Sequence, residues 1–248
     1  MSEVLRTAIV IALLATAITA CGRPDRTTSA PILLFTGTGT SPGDVAALEA
    51  LMTANQLDYA TASAAQLNGM TDEELRRYRL LILPGGNFIE MGNSLTPAAI
   101  VKIRDGVQNG LKYLGICAGA FLAGSFPQPH KSLNLTAGVQ FGFYAAVRDV
   151  HKTVVAITVP DGPTLDQYWE DGPQLAGWGA VVAKYPDGTP AVVQGTAGNG
   201  WVILTGIHPE APESWRRGMT FSTSSSTDNA FAATLIQAAL NRRSLAHF

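Results

Sequence analysis

The chain has 248 residues, enough for one medium domain with a sizeable core and too few for two. Its 17 Lys and Arg balance 19 Asp and Glu to a formal net charge of −2. No basic cluster stands out, which argues against a nucleic-acid surface and leaves small molecules, peptides or a membrane as partners. Two cysteines, Cys21 and Cys117, allow at most one disulfide.

In chain order, the first feature is Thr7–Ala20, an unbroken run of apolar and small residues behind Arg6 and the terminal amine. It is too short for a comfortable bilayer span and predicts the apolar segment of a secretory signal. It ends in Ile18-Thr19-Ala20-Cys21-Gly22, which resembles the lipobox of bacterial lipoproteins. That resemblance implies cleavage before Cys21, diacylglyceryl and palmitate-type chains on the new terminal cysteine, and an exported protein anchored to the cell membrane. Residues 1–21 are then a lipoprotein signal peptide with its lipobox cysteine, 22–30 a short polar tether and 31–248 the folded domain. The alternative is an ordinary signal peptide cut near Ala17-Ile18-Thr19-Ala20, with Cys21 incidental. If Cys21 is lipidated or removed, Cys117 has no disulfide partner, and an unpaired thiol in an exported protein invites oxidation, so mere core filling is then the weaker explanation for it.

Pro31–Gly37 reads as a buried strand closed by glycine, followed by a helical pattern over Asp44–Asn55 with Val45, Leu48, Leu51 and Met52 on one face. Tyr59–Ser63 reads as a second strand, and Thr71-Asp72-Glu73-Glu74 as a capping signal for a short helix through Tyr78. Leu80–Pro84 is the next strand, Thr96–Asn109 a helix with Pro97 in its first turn, and Leu111–Ile116 another strand ahead of a tightly packed helix start. Strands that are nearly all apolar and alternate with helices predict an α/β fold, a mostly parallel sheet covered on both faces.

The second half has a different texture. Thr153–Val159, Gly179–Lys184, Ala191–Gln194 and Trp201–Thr205 read as strands joined by turns such as Pro186-Asp187-Gly188 and Gly198-Asn199-Gly200, a hairpin-rich antiparallel section. Ser222–Ser226 is a polar loop and Thr227–Arg243 a closing amphipathic helix. Phe121–Phe126 is expected in the core.

Ligands bind at the carboxyl ends of the strands in such a sheet, so the residues just after each strand carry the chemistry. Gly115-Ile116-Cys117-Ala118-Gly119 has the logic of a nucleophile elbow, with small neighbours permitting a sharp turn that presents the thiol above the sheet. Leu83-Pro84-Gly85-Gly86 could bring bare amides to a substrate carbonyl, or form a plain turn. Gly206-Ile207-His208-Pro209-Glu210 places a base and an orienting carboxylate in one turn. His130, His151 and His247 lack ligand-like spacing, so neither a metal nor another cofactor is expected. Gly37–Gly43 lacks the lysine of a phosphate loop and is expected to wall the cleft. Trp169, Glu170 and Asp171 either line the pocket or cap the sheet.

The three motifs together resemble the class I glutamine amidotransferases. That likeness implies a flavodoxin-like doubly wound sheet, Cys117 as nucleophile, His208 as base, Glu210 as its partner, and the Gly86 and Ala118 amides as oxyanion donors. Gly85, Gly37, Thr38 and Phe121 become candidate substrate contacts. Within that superfamily LLFTGTGTSPGDV, LPGG, GICAGAF and PAVVQGTAGNGWVILTGIHPE are similar to the amidotransferase-like N-terminal domain of biotin-protein ligases, over most of Ile32–Glu210. The ligase portion itself is not expected after Phe248. Glutamine-hydrolysing relatives typically carry Gln four residues after the cysteine, where this chain has Phe121. The expectation is therefore a thiol-dependent hydrolase of an amide or γ-glutamyl-type bond in a small molecule or peptide at the cell envelope, the alternatives being a ligand-binding lipoprotein or a glutaminase subunit of a separate synthetase.

Overall fold

Ile32–Phe35 and Leu80–Leu83 are runs in which every side chain is buried, a pattern satisfied by a sheet sandwiched between helices. The computed structural model describes residues 30–145 and 149–248. The signal segment, Cys21 and all of the tether but its last residue lie outside the described residues.

The strands are β1 (Ile32–Phe35), β2 (Tyr59–Ala62), β3 (Leu80–Leu83), β4 (Lys112–Ile116), β5 (Gly142–Phe143), β6 (Lys152–Ile157), β7 (Leu165–Glu170), β8 (Pro173–Gln174), β9 (Ala180–Lys184), β10 (Pro190–Ala197) and β11 (Gly200–Thr205). The helices are α1 (Pro42–Ala54), α2 (Ala64–Gly69), α3 (Asp72–Arg76), α4 (Phe88–Ser94), α5 (Pro97–Gln108), α6 (Ala118–Ala123) and α7 (Ser225–Asn241). A seven-stranded sheet runs β2-β1-β3-β4-β11-β10-β9, parallel through β11, with β10 and β9 antiparallel at one end. The expected hairpin section is thus partly the continuation of the main sheet, with β6–β7 and β5–β8 as two small antiparallel pairs beside it. The fold is the expected α/β, flavodoxin-type architecture.

Period-two alternation sorts the side chains between two cores. Ile32, Leu34, Leu80, Ile82 and Leu114 face the helices α1 and α7, where Leu48, Met52, Leu235 and Ile236 meet them. Leu33, Phe35, Leu81, Leu83 and Tyr113 face the other side, covered by Leu67, Leu75, Met91, Ile103 and Leu122 from α2 to α6. The helix starts follow their caps: Ser41, Ser63, Thr71, Thr96 and Ser224 each accept a hydrogen bond from a first-turn amide. Because β1, β3, β4 and β11 are parallel, the segments that leave them emerge together along one edge of the sheet.

Candidate active site

The elbow between β4 and α6 is built by packing. A Cβ on Gly119 would lie 2.0 Å from the Leu83 carbonyl oxygen, and one on Gly115 would lie 2.6 Å from that of Gly119, so α6 sits directly on two strands only because both are glycine. The Gly119 amide donates to Pro84 O (3.1 Å) and the Cys117 amide to Thr205 O (2.8 Å), tying the turn to the strands on either side. Cys117 is left at φ +49°, ψ −102°, a region that non-glycine residues occupy only under constraint, at about 1–3 kcal/mol. It is 6% exposed, and its thiol donates to the Glu170 carbonyl at 3.5 Å.

Gly85 serves the histidine. A Cβ there would lie 2.2 Å from Asp44 Oδ1 and 2.7 Å from His208 Cε1, so the imidazole lies against bare backbone. Gly86, at φ +140°, is held between the Asn87 amide, which donates to Gly39 O (2.7 Å), and Gly85 O, which accepts from the Ser41 amide (3.0 Å). The Gly86 and Ala118 amides have no backbone acceptor among the described residues.

His208 follows β11, and its amide donates to Tyr168 O at 2.8 Å. Its Nδ1 lies 3.0 Å from Glu210 Oε1 in hydrogen-bond geometry. Asp44 Oδ1 is as close, at 2.9 Å, but has no hydrogen-bond partner and acts on the ring as an adjacent charge. The rings of Tyr168 and Trp215 stand edge-on to the imidazole, each with centroids 5.9 Å away. With Nδ1 engaged by carboxylates, Nε2 is the nitrogen left for proton transfer.

The electrostatics separate the two carboxylates. Burial alone would push the His208 imidazole down, but Asp44 and Glu210, with a smaller contribution from Cys117, outweigh it and hold the imidazole well above the usual histidine range. Burial would push Asp44 up, yet its charge interaction with His208 leaves it below the ordinary aspartate value. Glu210 goes the other way, raised chiefly by burial and only partly relieved by His208. Two buried carboxylates thus flank one imidazole at Nδ1. The same three side chains offer ligand atoms within 4.8 Å of one another, but hydrogen-bond and charge contacts account for their spacing without an ion.

A cleft of about 480 Å³ gathers these groups: Asp44, Gly86, Cys117, Phe121, Glu170 and His208 all line it. Glu210 stands behind His208. Phe121 is buried as expected, but it also walls the cleft and stacks on Phe88 with ring centroids 4.8 Å apart. Of the other expected contacts, Gly85 backs the imidazole, Gly37 packs against the Phe35 ring and Thr38 is exposed, and none of the three lines the cleft. The segment expected as a wall contributes Ser41 instead. Glu170 and Asp171 line the cleft, whereas Trp169 is buried against Tyr144. Asp44 is the residue sequence reasoning missed: as third residue of α1 behind the Ser41 cap it reads as a helix-start acid. Its burial beside a histidine from the far end of the chain is the signal, and that signal is tertiary.

Residues 30–148 match the model of a family described as biotin-protein ligase, N terminal. A biotin–protein ligase of Schizosaccharomyces pombe is 28% identical over 165 residues, 53% of this chain. The chain spans 25% of that relative's length. Among solved structures, a glutamine amidotransferase superposes with a TM-score of 0.57 at 19% identity, covering 73% of this chain and 90% of its own. The chain shares the α/β fold of that amidotransferase, and its residues 30–148 are similar to the N-terminal part of biotin-protein ligases. A β-galactosidase from Bacillus circulans sp. alkalophilus also superposes on this amidotransferase-like fold, with a TM-score of 0.53 at 13% identity over 84% of this chain and 31% of its own. The architecture therefore recurs within proteins of unrelated activity, and function has to be read from the site and not from the fold.

Proposed function

We propose that the protein is a cysteine-dependent hydrolase of an amide bond, with Cys117, His208 and Glu210 as its reacting set. The observation that carries this reading is the constrained Cys117, which shares one cleft with a histidine whose Nδ1 is held by a buried carboxylate. With its proton already held on His208 Nε2, the Cys117 sulfur adds to the amide carbonyl carbon as a thiolate, and the developing oxyanion takes the Gly86 and Ala118 amides. His208 returns the proton to the departing nitrogen, which leaves as ammonia or an amine and generates a thioester. Water, deprotonated by the same imidazole, cleaves that thioester to a carboxylate and restores the thiol.

A ligand-binding role without turnover is the second reading. It is favoured by Phe121, which fills with an apolar ring the position where glutamine-hydrolysing relatives carry Gln. Cys117→Ser separates the two: hydrolysis of a panel of primary amides, read as ammonia release, should fall by orders of magnitude, whereas a binding protein keeps its ligand affinity and shows no wild-type turnover to lose. The envelope location belongs to the same proposal and is supported by the apolar run Thr7–Ala20 and the lipobox-like Ile18–Gly22: an exported lipoprotein, anchored through Cys21, for which simple hydrolysis suits a compartment without ATP better than biosynthesis.

A further inference from the structure

We propose that the cleft selects an amide carrying a positive charge beside an aromatic or apolar group, such as an amino-acid amide or a peptide with a free amine, and rejects carboxylate-bearing glutamine. The proposal rests on the hydrolase reading for the bond that reacts, but not for the binding preference.

Charge is the first argument. The charged side chains lining the cleft are Asp44, Glu170, Asp171 and His208, with no Lys or Arg among the described lining residues. His208 is already matched by Asp44 and Glu210. Glu170 Oε2 accepts the Tyr168 hydroxyl at 2.5 Å, a neutral donor that fixes the carboxylate without cancelling its charge. Asp171 takes His151 Nδ1 at 3.0 Å, on a ring that is 82% exposed and outside the lining. A substrate carboxylate entering here would meet like charge, whereas an ammonium would meet two acids.

The second argument is independent of charge. Phe88, Phe121 and Phe143 form one aromatic wall, with Phe88–Phe121 and Phe121–Phe143 centroids both 4.8 Å apart. Phe143 is 57% exposed and Ile89 37% exposed, and both line the cleft. Large apolar side chains left open beside buried polar groups mark a binding surface.

Calorimetry on Cys117→Ser protein, which lacks the nucleophile, tests the preference separately from turnover. The probes are phenylalaninamide (cationic and aromatic), N-acetylphenylalaninamide (neutral and aromatic) and glutamine. Phenylalaninamide should bind tightest and glutamine weakest. Asp171→Asn and Glu170→Gln should each weaken phenylalaninamide by about 3- to 10-fold and leave the acetylated amide unmoved, as partly exposed pairs allow. Phe143→Ala should weaken both amides. Glutamine binding as tightly as phenylalaninamide, an affinity for phenylalaninamide unmoved by both acid variants, or no binding of any probe would overturn the assignment. If phenylalaninamide binds as expected but wild-type protein releases no ammonia from it, the hydrolase reading fails and the pocket assignment stands.

Discussion

Asp44→Asn removes one of the two charges beside His208 while keeping the side chain's size. His208, Asp44 and Glu210 are 4%, 5% and 2% exposed, so water screens the lost interaction little. Unit charges about 4 Å apart at an effective dielectric constant near 20 attract by about 4 kcal/mol. Glu210 remains on Nδ1 at 3.0 Å, and the amide dipole of asparagine recovers part of the loss. The imidazolium should therefore lose about 2–4 kcal/mol, roughly a 30- to 1000-fold shift toward neutral imidazole. The assay is a histidine-labelled NMR titration of His208 in wild type and variant. Because His208 is raised in the fold, the stability it contributes is complete below the ordinary histidine range and is lost as pH rises through the folded value. The variant should accordingly be most destabilised at mildly acidic pH, and the gap should close at alkaline pH, where wild type retains a buried carboxylate facing a neutral ring. An unchanged His208 titration, or a stability gap that widens with pH, would refute the assignment of Asp44 as a charge partner.

Two further outcomes follow from the same geometry, and a third from the lipobox-like Ile18–Gly22. Glu210→Gln keeps the size but removes the acceptor charge that orients Nδ1, so turnover should fall by about 10² to 10⁴ with little change in KM, measured by steady-state kinetics. Gly119→Ala drives a Cβ to 2.0 Å from Leu83 O and should cost about 1–3 kcal/mol or more in denaturant unfolding, with loss of the elbow. Cys21→Ala should release the protein from membranes, and intact-mass analysis of membrane-extracted wild type should carry a diacylglyceryl adduct on Cys21.

The parts of the fold that were legible in the sequence are those in which local pattern and tertiary role agree. Leu80–Leu83 is apolar because both sheet faces are covered, and Thr96-Pro97 announces α5 because its cap and first turn are local. Elements that tertiary contacts create were not legible. The polar residues of β7 hide a strand: Asp166 points its carboxylate to the Ser222 amide and hydroxyl, while Gln167 is buried. In α4, seven residues broken by Gly92 show too little periodicity to read, and the helix depends on the Asn87 cap and on close packing at Gly92. The same division runs through the site. Cys117, His208 and Glu210 announce themselves because each lies in a short motif after a strand. Asp44, Phe143 and Trp215 do not, because only the closed sheet brings α1, the segment around β5 and the chain after β11 to one cleft.

The central claim is that Cys117 is held in a reactive state by His208 and its carboxylates. Its most direct test is the rate of Cys117 carboxamidomethylation by iodoacetamide at pH 7, followed by mass spectrometry in native wild type, native His208→Ala and the unfolded chain. The account predicts that native wild type reacts fastest and that His208→Ala removes the advantage. A native thiol that reacts no faster than the unfolded one, with or without His208, would contradict it.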